Sequence, residues 1–152
     1  MNHKQWNRRA WLQGCAALLG MLALAPLRAL AAAWNKAAFD ATKVDAALQG
    51  LGAVQVGPSR DIILIAPDMA ENGAIVQIEV ESRIPGTEAI AILAEKNPTP
   101  LIANFVFSNG AEPYVITRIK MGETADVRAI IKAGGKYYSV AKKVEVSLGG
   151  CG

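Results

Sequence analysis

The chain has 152 residues, of which 52% are hydrophobic and 19% are charged, so it is long enough for one domain with a buried core. Its formal net charge is +3, but four of its basic residues and none of its acidic residues lie in the first 33 positions. Without that segment, twelve basic residues stand against thirteen acidic ones. The positive charge of the whole chain is therefore no argument for nucleic-acid binding, and none is expected.

Residues 1–33 are predicted to be an export signal. A basic start without acids precedes an apolar run over residues 10–24, and Ala31-Ala32-Ala33 offers an A-x-A cleavage site. Pro26 and Arg28 interrupt the apolar stretch, so a retained membrane helix is not expected. The mature protein should have no membrane contact once the signal is cleaved.

The segment Asn7-Arg8-Arg9-Ala10-Trp11-Leu12-Gln13 resembles the twin-arginine export motif. The alternative is an ordinary Sec signal that contains an incidental Arg-Arg pair. Cys15 precedes the apolar run instead of following it, unlike the cysteine of a lipoprotein signal, so lipidation is not expected. We therefore expect a periplasmic protein, exported by the twin-arginine route in its folded state.

Loss of the signal changes the reactive groups that the chain retains. The only histidine, His3, and one of the two cysteines, Cys15, both lie within residues 1–33. The mature chain is left with Cys151 as its single cysteine. An exported protein with one unpaired cysteine has a free reactive thiol or pairs between molecules, so disulfide-linked homodimers are expected as a resting form.

In chain order, one short amphipathic helix is predicted over residues 37–51, followed by strands. Asn72-Gly73, Asn109-Gly110 and Gly134-Gly135 are turn signals, and the last of these indicates a hairpin. Alternation of apolar and polar residues, or short apolar runs between turns, predicts seven strands: 61–66, 74–81, 88–95, 101–107, 114–121, 124–133 and 136–148. The pattern predicts an all-β domain over residues 34–148, an antiparallel immunoglobulin-like β-sandwich with a short N-terminal helix.

The last four residues, Gly149-Gly150-Cys151-Gly152, are predicted to form a flexible C-terminal arm, residues 149–152. Glycine loses much backbone entropy on ordering, so this segment should stay mobile with its thiol in water. One interpretation is a tethered thiol that visits the active sites of other proteins. The other is a frayed terminus with an incidental cysteine.

The mature chain offers few other reactive groups. Without histidine it has no Ser-His-Asp or Cys-His site, and it has no zinc ligand set. Glu79 and Glu81 are predicted to lie on the solvent face of one strand, where they are not an acid/base pair. Arg118 and Lys120 are likewise predicted on an outer face, with a partner surface as the alternative interpretation. Cys151 is the remaining nucleophile, so the protein is not expected to be an enzyme.

Several segments together resemble the SoxY family, the sulfur-carrier proteins of bacterial thiosulfate oxidation. The resemblance covers essentially the whole mature chain and includes its Gly-Gly-Cys-Gly end. The other segments are Ala66-Pro67, Glu71-Asn72-Gly73-Ala74, Glu95-Lys96-Asn97-Pro98, Thr117-Arg118-Ile119-Lys120-Met121 and Lys132-Ala133-Gly134-Gly135-Lys136.

The resemblance implies that Cys151 holds the pathway intermediates covalently, as an S-thiosulfonate and a persulfide, without any other cofactor or metal. It implies that Gly149, Gly150 and Gly152 form the flexible arm. The implied partners are a SoxZ-type sandwich protein in a heterodimer, a c-type cytochrome pair, a thiosulfohydrolase and a sulfane dehydrogenase.

The family usually ends in Gly-Gly-Cys-Gly-Gly, and this chain has one terminal glycine fewer. The terminal carboxylate is thus one residue nearer the sulfur of Cys151. The alternative function left open is an exported structural or adhesive β-sandwich domain with an incidental terminal cysteine. A thiol redox enzyme is disfavoured because the mature chain has no resolving cysteine.

Overall fold

The computed structural model describes residues 35–147. The predicted signal, residues 1–33, and the predicted arm, residues 149–152, lie outside the described residues. Within them the chain forms two short helices, α1 (Lys36–Phe39) and α2 (Val44–Gly50), and nine strands. The strands are β1 (Val56–Pro58), β2 (Ile62–Ile65), β3 (Met69–Ala70), β4 (Val76–Ser82), β5 (Thr87–Ala94), β6 (Leu101–Val106), β7 (Tyr114–Ile119), β8 (Ala125–Ala133) and β9 (Lys136–Val146).

The strands form two sheets that face each other, as the sequence predicted. The larger sheet has the order β1-β9-β8-β5-β6, with β3 also paired to β9, and the smaller sheet has the order β2-β4-β7. Alternate residues of β4 are buried, with Val76, Ile78 and Val80 at 1% exposure or less. They pack in one cluster with Ile90 and Ile92 of β5, so the main core lies between the two sheets.

The larger sheet is buried on both of its faces. Five consecutive residues of β5, from Ile90 to Ala94, are buried, which is the pattern of a strand covered on both sides. Ile90 and Ile92 belong to the core between the sheets, whereas Ala91 and Leu93 pack with Ala38 and Ala47 of the helices. The two helices therefore cover the outer face of the larger sheet.

The predicted single helix over residues 37–51 is divided into two. α1 begins at an N-cap, Asn35, whose side-chain oxygen accepts from the backbone N–H of Ala38 at 3.2 Å. The side-chain nitrogen of Asn35 also donates to the carbonyl of Gly50 at 2.6 Å. The break between the helices lets α1 fold back against the end of α2, which apolar spacing alone does not show. No helix within residues 35–147 is long and apolar enough to cross a bilayer.

Two of the nine strands, β1 and β3, are absent from the sequence prediction. Both are parallel to β9: Val56 to Pro58 pair with residues 137–139, and Met69 and Ala70 pair with Glu145 and Val146. Strands of two or three residues have too few positions to show a period of two. Only their pairing with a distant strand identifies them.

The hairpin predicted at Gly134-Gly135 is confirmed. Ala133 pairs directly with Lys136, and the two glycines between them have φ values of 54° and 73°. Two consecutive positive φ angles define the two-residue turn that matches the twist of a hairpin, and glycine adopts them without strain. The turn sets the register of β8 against β9 over their whole length.

Gly50→Ala should destabilise the domain, although alanine is by itself the better helix former by roughly 0.5–1 kcal/mol. A Cβ at this position would lie 2.7 Å from the Cα and 2.8 Å from the N of Ala38, so the two helices would have to separate. The expected loss is about 1–3 kcal/mol of unfolding free energy in a urea titration. The control is Gly57→Ala, whose Cβ would meet nothing within 4 Å. Equal stability of Gly50→Ala and the wild type would contradict the close helix contact.

Candidate functional site at the root of the C-terminal arm

The last strand determines where the C-terminal segment begins. β9 ends at Val146, and Ser147 is the last residue that the structure describes. The predicted sulfur-bearing residue Cys151 and its glycines Gly149, Gly150 and Gly152 lie outside the described residues. Since Ser147 is only four positions from Cys151, the geometry around Val146 and Ser147 fixes the origin of the arm.

Hydrogen bonds hold the final residues of β9 from two sides. On one side, the backbone N–H of Ser147 donates to the carbonyl of Ala70 at 3.0 Å, and that of Glu145 donates to the carbonyl of Asp68 at 2.9 Å. On the other side, the backbone N–H of Val146 donates to the hydroxyl oxygen of Thr124 at 2.9 Å. The backbone is therefore anchored up to Ser147, two residues before the predicted arm begins.

Gly73 fills a space beside Val146 that admits no side chain. A Cβ on Gly73 would lie 2.5 Å from the carbonyl oxygen of Met121 and 2.7 Å from Cγ1 of Val146. The backbone N–H of Met121 donates to the carbonyl of Gly73 at 2.7 Å, which holds the two segments together. Close approach of the backbone explains glycine at this position.

Asn97 joins two loops at the same end of the sandwich. Its side-chain nitrogen donates to the carbonyl of Lys120 at 2.7 Å, and its side-chain oxygen accepts from the backbone N–H of Gly122 at 3.1 Å. The neighbouring ion pair between Lys96 and Glu123, at 3.5 Å, is exposed and adds little. The two hydrogen bonds of the Asn97 side chain are thus the main contact between residues 95–98 and 120–122.

These contacts define an arm-root collar. We use that name for five residues at this end of the sandwich: Gly73 and Thr124, which lie against Val146, Met121, which is hydrogen-bonded to Gly73, and Asn97 and Gly122, which are hydrogen-bonded to each other beside Met121. Three of the segments that carry the family resemblance, residues 71–74, 95–98 and 117–121, supply members of the collar. Thr124 was missed by sequence reasoning, because a threonine just before a strand gives no signal of the distant backbone that it binds.

The remaining family-like segments lie elsewhere. Lys132 and the hairpin glycines are at the opposite end of β9 from Val146. There Lys132 pairs with Glu88 at 2.6 Å. The hydrogen bond from Lys132 is the main reason that the pKa of the Glu88 carboxyl lies below its usual value, and the same bond raises the pKa of Lys132. This pair braces β5 against β8 and is not part of the collar.

The carboxylates singled out from the sequence lie on the outer face of β4. Glu79 accepts a hydrogen bond from the hydroxyl of Tyr114 at 3.1 Å, and Glu81 pairs with Arg83 at 2.9 Å. Burial, then the hydrogen bond to Glu79, raises the pKa of Tyr114. The side chains that hydrogen-bond to these two carboxylates are Gln77 and Tyr114 at Glu79 and Arg83 at Glu81. Within residues 35–147, no group of three or more His, Cys, Asp or Glu side chains is placed to hold a metal ion.

The chain is thus a small β-sandwich protein with a C-terminal extension. Its two sheets face each other, its last strand is anchored, and a short segment of glycine and cysteine follows that strand in the sequence. The chain belongs to the SoxY family: the family model of the sulfur oxidation protein SoxY matches residues 46–151. The matched range extends through the predicted arm to Cys151.

Comparison with solved structures agrees with this assignment. The sulfur carrier protein SoxY from Chlorobium limicola f thiosulfatophilum is 34% identical, with a TM-score of 0.64, and the match covers 74% of this chain and 99% of that one. A superoxide reductase (neelaredoxin) from Ignicoccus hospitalis is 19% identical with a TM-score of 0.50, and covers 57% of this chain and 79% of that one. The second similarity shows a shared fold only. The search of curated proteins gives no significant match.

Gly73→Ala should weaken the domain at the arm root, because a methyl group there would overlap the carbonyl of Met121 and the side chain of Val146. The expected loss is about 1–3 kcal/mol in a urea unfolding titration. Gly122→Ala is the matched control in the same collar, since its Cβ would approach only Asn97, at 3.9 Å. The control should stay within about 0.5 kcal/mol of the wild type. If both variants behaved alike, the close packing of Gly73 against Val146 would be disproved.

Proposed function

We propose that this protein is a periplasmic sulfur carrier of thiosulfate oxidation that holds its cargo covalently on Cys151. The observation that carries the proposal is the family match that runs to Cys151. The solved SoxY structure, described as that of a sulfur carrier, supports it at 34% identity. In this function the protein is a substrate of other enzymes and performs no catalysis itself.

The proposed cycle needs one thiol and no other reactive group of this chain. Oxidative joining of thiosulfate to the Cys151 thiol forms an S–S bond and releases one proton and two electrons, which a c-type cytochrome pair accepts. Hydrolysis of the resulting S-thiosulfonate by a thiosulfohydrolase releases sulfate and leaves a persulfide on Cys151. A sulfane dehydrogenase would then oxidise that terminal sulfur to a sulfonate with the oxygens of three water molecules, releasing six protons and passing six electrons to a c-type cytochrome.

The anchored end of β9 fits a protein that presents its cysteine to other enzymes and leaves the catalysis to them. Residues 148–152, fully extended, reach roughly 15 Å from the sandwich, enough to carry a thiol into a narrow channel of another protein. The hydrogen bonds to Ala70 and Thr124 hold Ser147 and Val146 while the residues beyond them enter the partner. Glycines at 149, 150 and 152 add no side chain that would meet a channel wall.

The proposal includes export and a stable partner. The twin-arginine motif at Arg8-Arg9 supports a periplasmic location, since this route exports proteins already folded. A SoxZ-type sandwich protein is the proposed partner in a heterodimer, and a partner without a signal could be exported together with this chain. The second candidate function is a structural or adhesive domain, in which Cys151 would carry no sulfur.

Cys151→Ser should abolish sulfur loading without unfolding the domain, because the side chain lies beyond the last strand and only its sulfur can form the S–S bond. Intact-mass analysis of protein from the periplasm of cells oxidising thiosulfate should show sulfur adducts on the wild type and none on the variant. The matched control is Cys15→Ser, which alters the other cysteine, within the predicted signal. A homogeneous unmodified thiol on the wild type would favour the structural alternative.

Replacement of Gly149 and Gly150 by phenylalanine should slow turnover by the partner enzymes by an order of magnitude or more, because bulky side chains would meet the channel wall. Alanine at the same two positions is the matched control and should retain most of the turnover. Alkylation of Cys151 by iodoacetamide should proceed at the same rate in all variants, which separates loss of passage from loss of the thiol. Unchanged turnover of the phenylalanine variant would disprove passage through a narrow channel.

A further inference from the structure

The outer face of the smaller sheet is strongly patterned. Strand register places Ile65, Glu79 and Ile116 in one row across the three strands, and Ile63, Glu81 and Tyr114 in the next. We call these six residues the outer β2–β4–β7 face. Ile65 is 55% exposed and Ile116 is 56% exposed, so two large aliphatic side chains flank Glu79 in water.

The two sheets differ in what covers them. Helices α1 and α2 pack on the outer face of the larger sheet through Ala38 and Ala47. No segment among residues 35–147 packs over Ile65 and Ile116 of the smaller sheet in the same way, and both remain exposed. Clusters of exposed apolar side chains bordered by polar ones are typical of protein interaction sites.

One end of this face forms a groove that is both apolar and acidic. The groove has a volume of about 500 Å³ and is lined by Ile65, Glu79, Glu81, Ser82, Glu112, Pro113 and Tyr114. Its lining thus holds three carboxylates and no basic side chain. The nearest ion pair joins Glu81 to Arg83, which is itself 63% exposed. Arg118 pairs across the strands with Gln77, two residues before Glu79 on β4, so it lies in the row next to Ile116, on the side away from the groove.

The face is separated from the arm root. β4 begins at Val76, close to the turn that contains Gly73, and runs toward Ser82. Glu81 is therefore about 16 Å further along the sheet than Val76, at roughly 3.3 Å per residue. The groove therefore lies at the opposite end of β4 from the arm-root collar.

We propose that the outer β2–β4–β7 face binds a protein partner whose contact surface is apolar where it meets Ile65 and Ile116 and carries lysine or arginine where it meets Glu79 and the groove. The SoxZ-type sandwich protein is taken as this partner, and to that extent the inference rests on the proposed function. Charge complementarity argues for a basic partner: three carboxylates and the phenol of Tyr114 would meet its cations, while Ile65 and Ile116 pack on apolar side chains of the partner.

The position of the face fits a carrier with two kinds of partner. A permanent partner occupies the Ile65 and Tyr114 end of the smaller sheet. The enzymes that act on Cys151 would approach the end of β9, at the opposite end of β4 from Glu81.

Ile116→Lys tests the proposal in the purified mature protein with the purified SoxZ-type protein as the probe. A charged side chain in the apolar contact, facing a basic partner, should weaken binding measured by titration calorimetry by about 30-fold or more. The matched control is Val106→Lys, because Val106 is similarly exposed at 61% but lies on β6 of the other sheet. Circular dichroism and thermal unfolding establish that both variants are folded.

A second variant, Glu79→Gln with Glu81→Gln, tests the charge. Its binding should be weaker by about tenfold at low ionic strength, with a smaller difference at high salt because screening removes the attraction in the wild type. Wild-type affinity in this variant at both salt concentrations would overturn the proposed basic contact.

The outcomes separate the docking surface from the proposed function. Loss of binding in Ile116→Lys but not in Val106→Lys supports the surface, whether or not Cys151 carries sulfur. Equal affinity of Ile116→Lys and the wild type, equal losses in both variants, or no binding by the wild type would overturn it. If the chain alone is a dimer that Ile116→Lys dissociates in analytical ultracentrifugation, the occupant is a second copy and the proposed partner is wrong. Sulfur adducts on Cys151, measured by intact mass in the same preparations, test the carrier function separately.

Discussion

Hydrogen bonding along both edges of β9 is the constraint on which the rest of the structure depends. One edge pairs with β8 from Lys136 to Val144, and the other edge pairs with β1 near the hairpin and with β3 near the arm root. Between these two short strands the side chain of Lys142 donates to the carbonyl of Ala66 and forms an ion pair with Asp68 at 3.0 Å. A strand bonded in this way has little freedom to shift along its axis. The residues that follow it therefore start from a fixed position.

The double burial of the larger sheet is the second structural condition. β5 and β8 alternate between the core that faces the smaller sheet and the core that faces the helices, with Ile131 in the first and Ile130 in the second. The helix side is built largely from small residues such as Ala38, Ala47 and Ala91, which lets the short helices lie close to the sheet. The result is a rigid layer at the centre of the molecule, and a sheet held on both faces gives β9 a firm support.

The arm-root collar and the groove of the proposed docking face lie at opposite ends of the smaller sheet. The collar lies where β4 begins and where the chain leaves β7, whereas Tyr114 and Glu81 lie where β7 begins and β4 ends. This separation follows from the antiparallel order of β4 and β7, which puts the start of one strand beside the end of the other.

Much of this structure can be predicted from the sequence, because many of its features depend on residues that are close together in the chain. Alternation at Val76, Ile78 and Val80 predicts the inward face of β4, and the glycine pair at 134–135 predicts the hairpin. Cys151 is singled out because it is the one cysteine outside the predicted signal, residues 1–33. Even the segments that form the collar are noticeable as family-like motifs, although nothing local explains why Gly73 or Asn97 should stand there. Four features come only from the tertiary structure. They are the break between α1 and α2, the strands β1 and β3, the anchoring role of Thr124, and the row of Ile65, Glu79 and Ile116. Each of these depends on contacts between residues far apart in the chain: Thr124 meets Val146 across 22 positions, and the strands β1 and β3 are too short to show a period without β9 beside them.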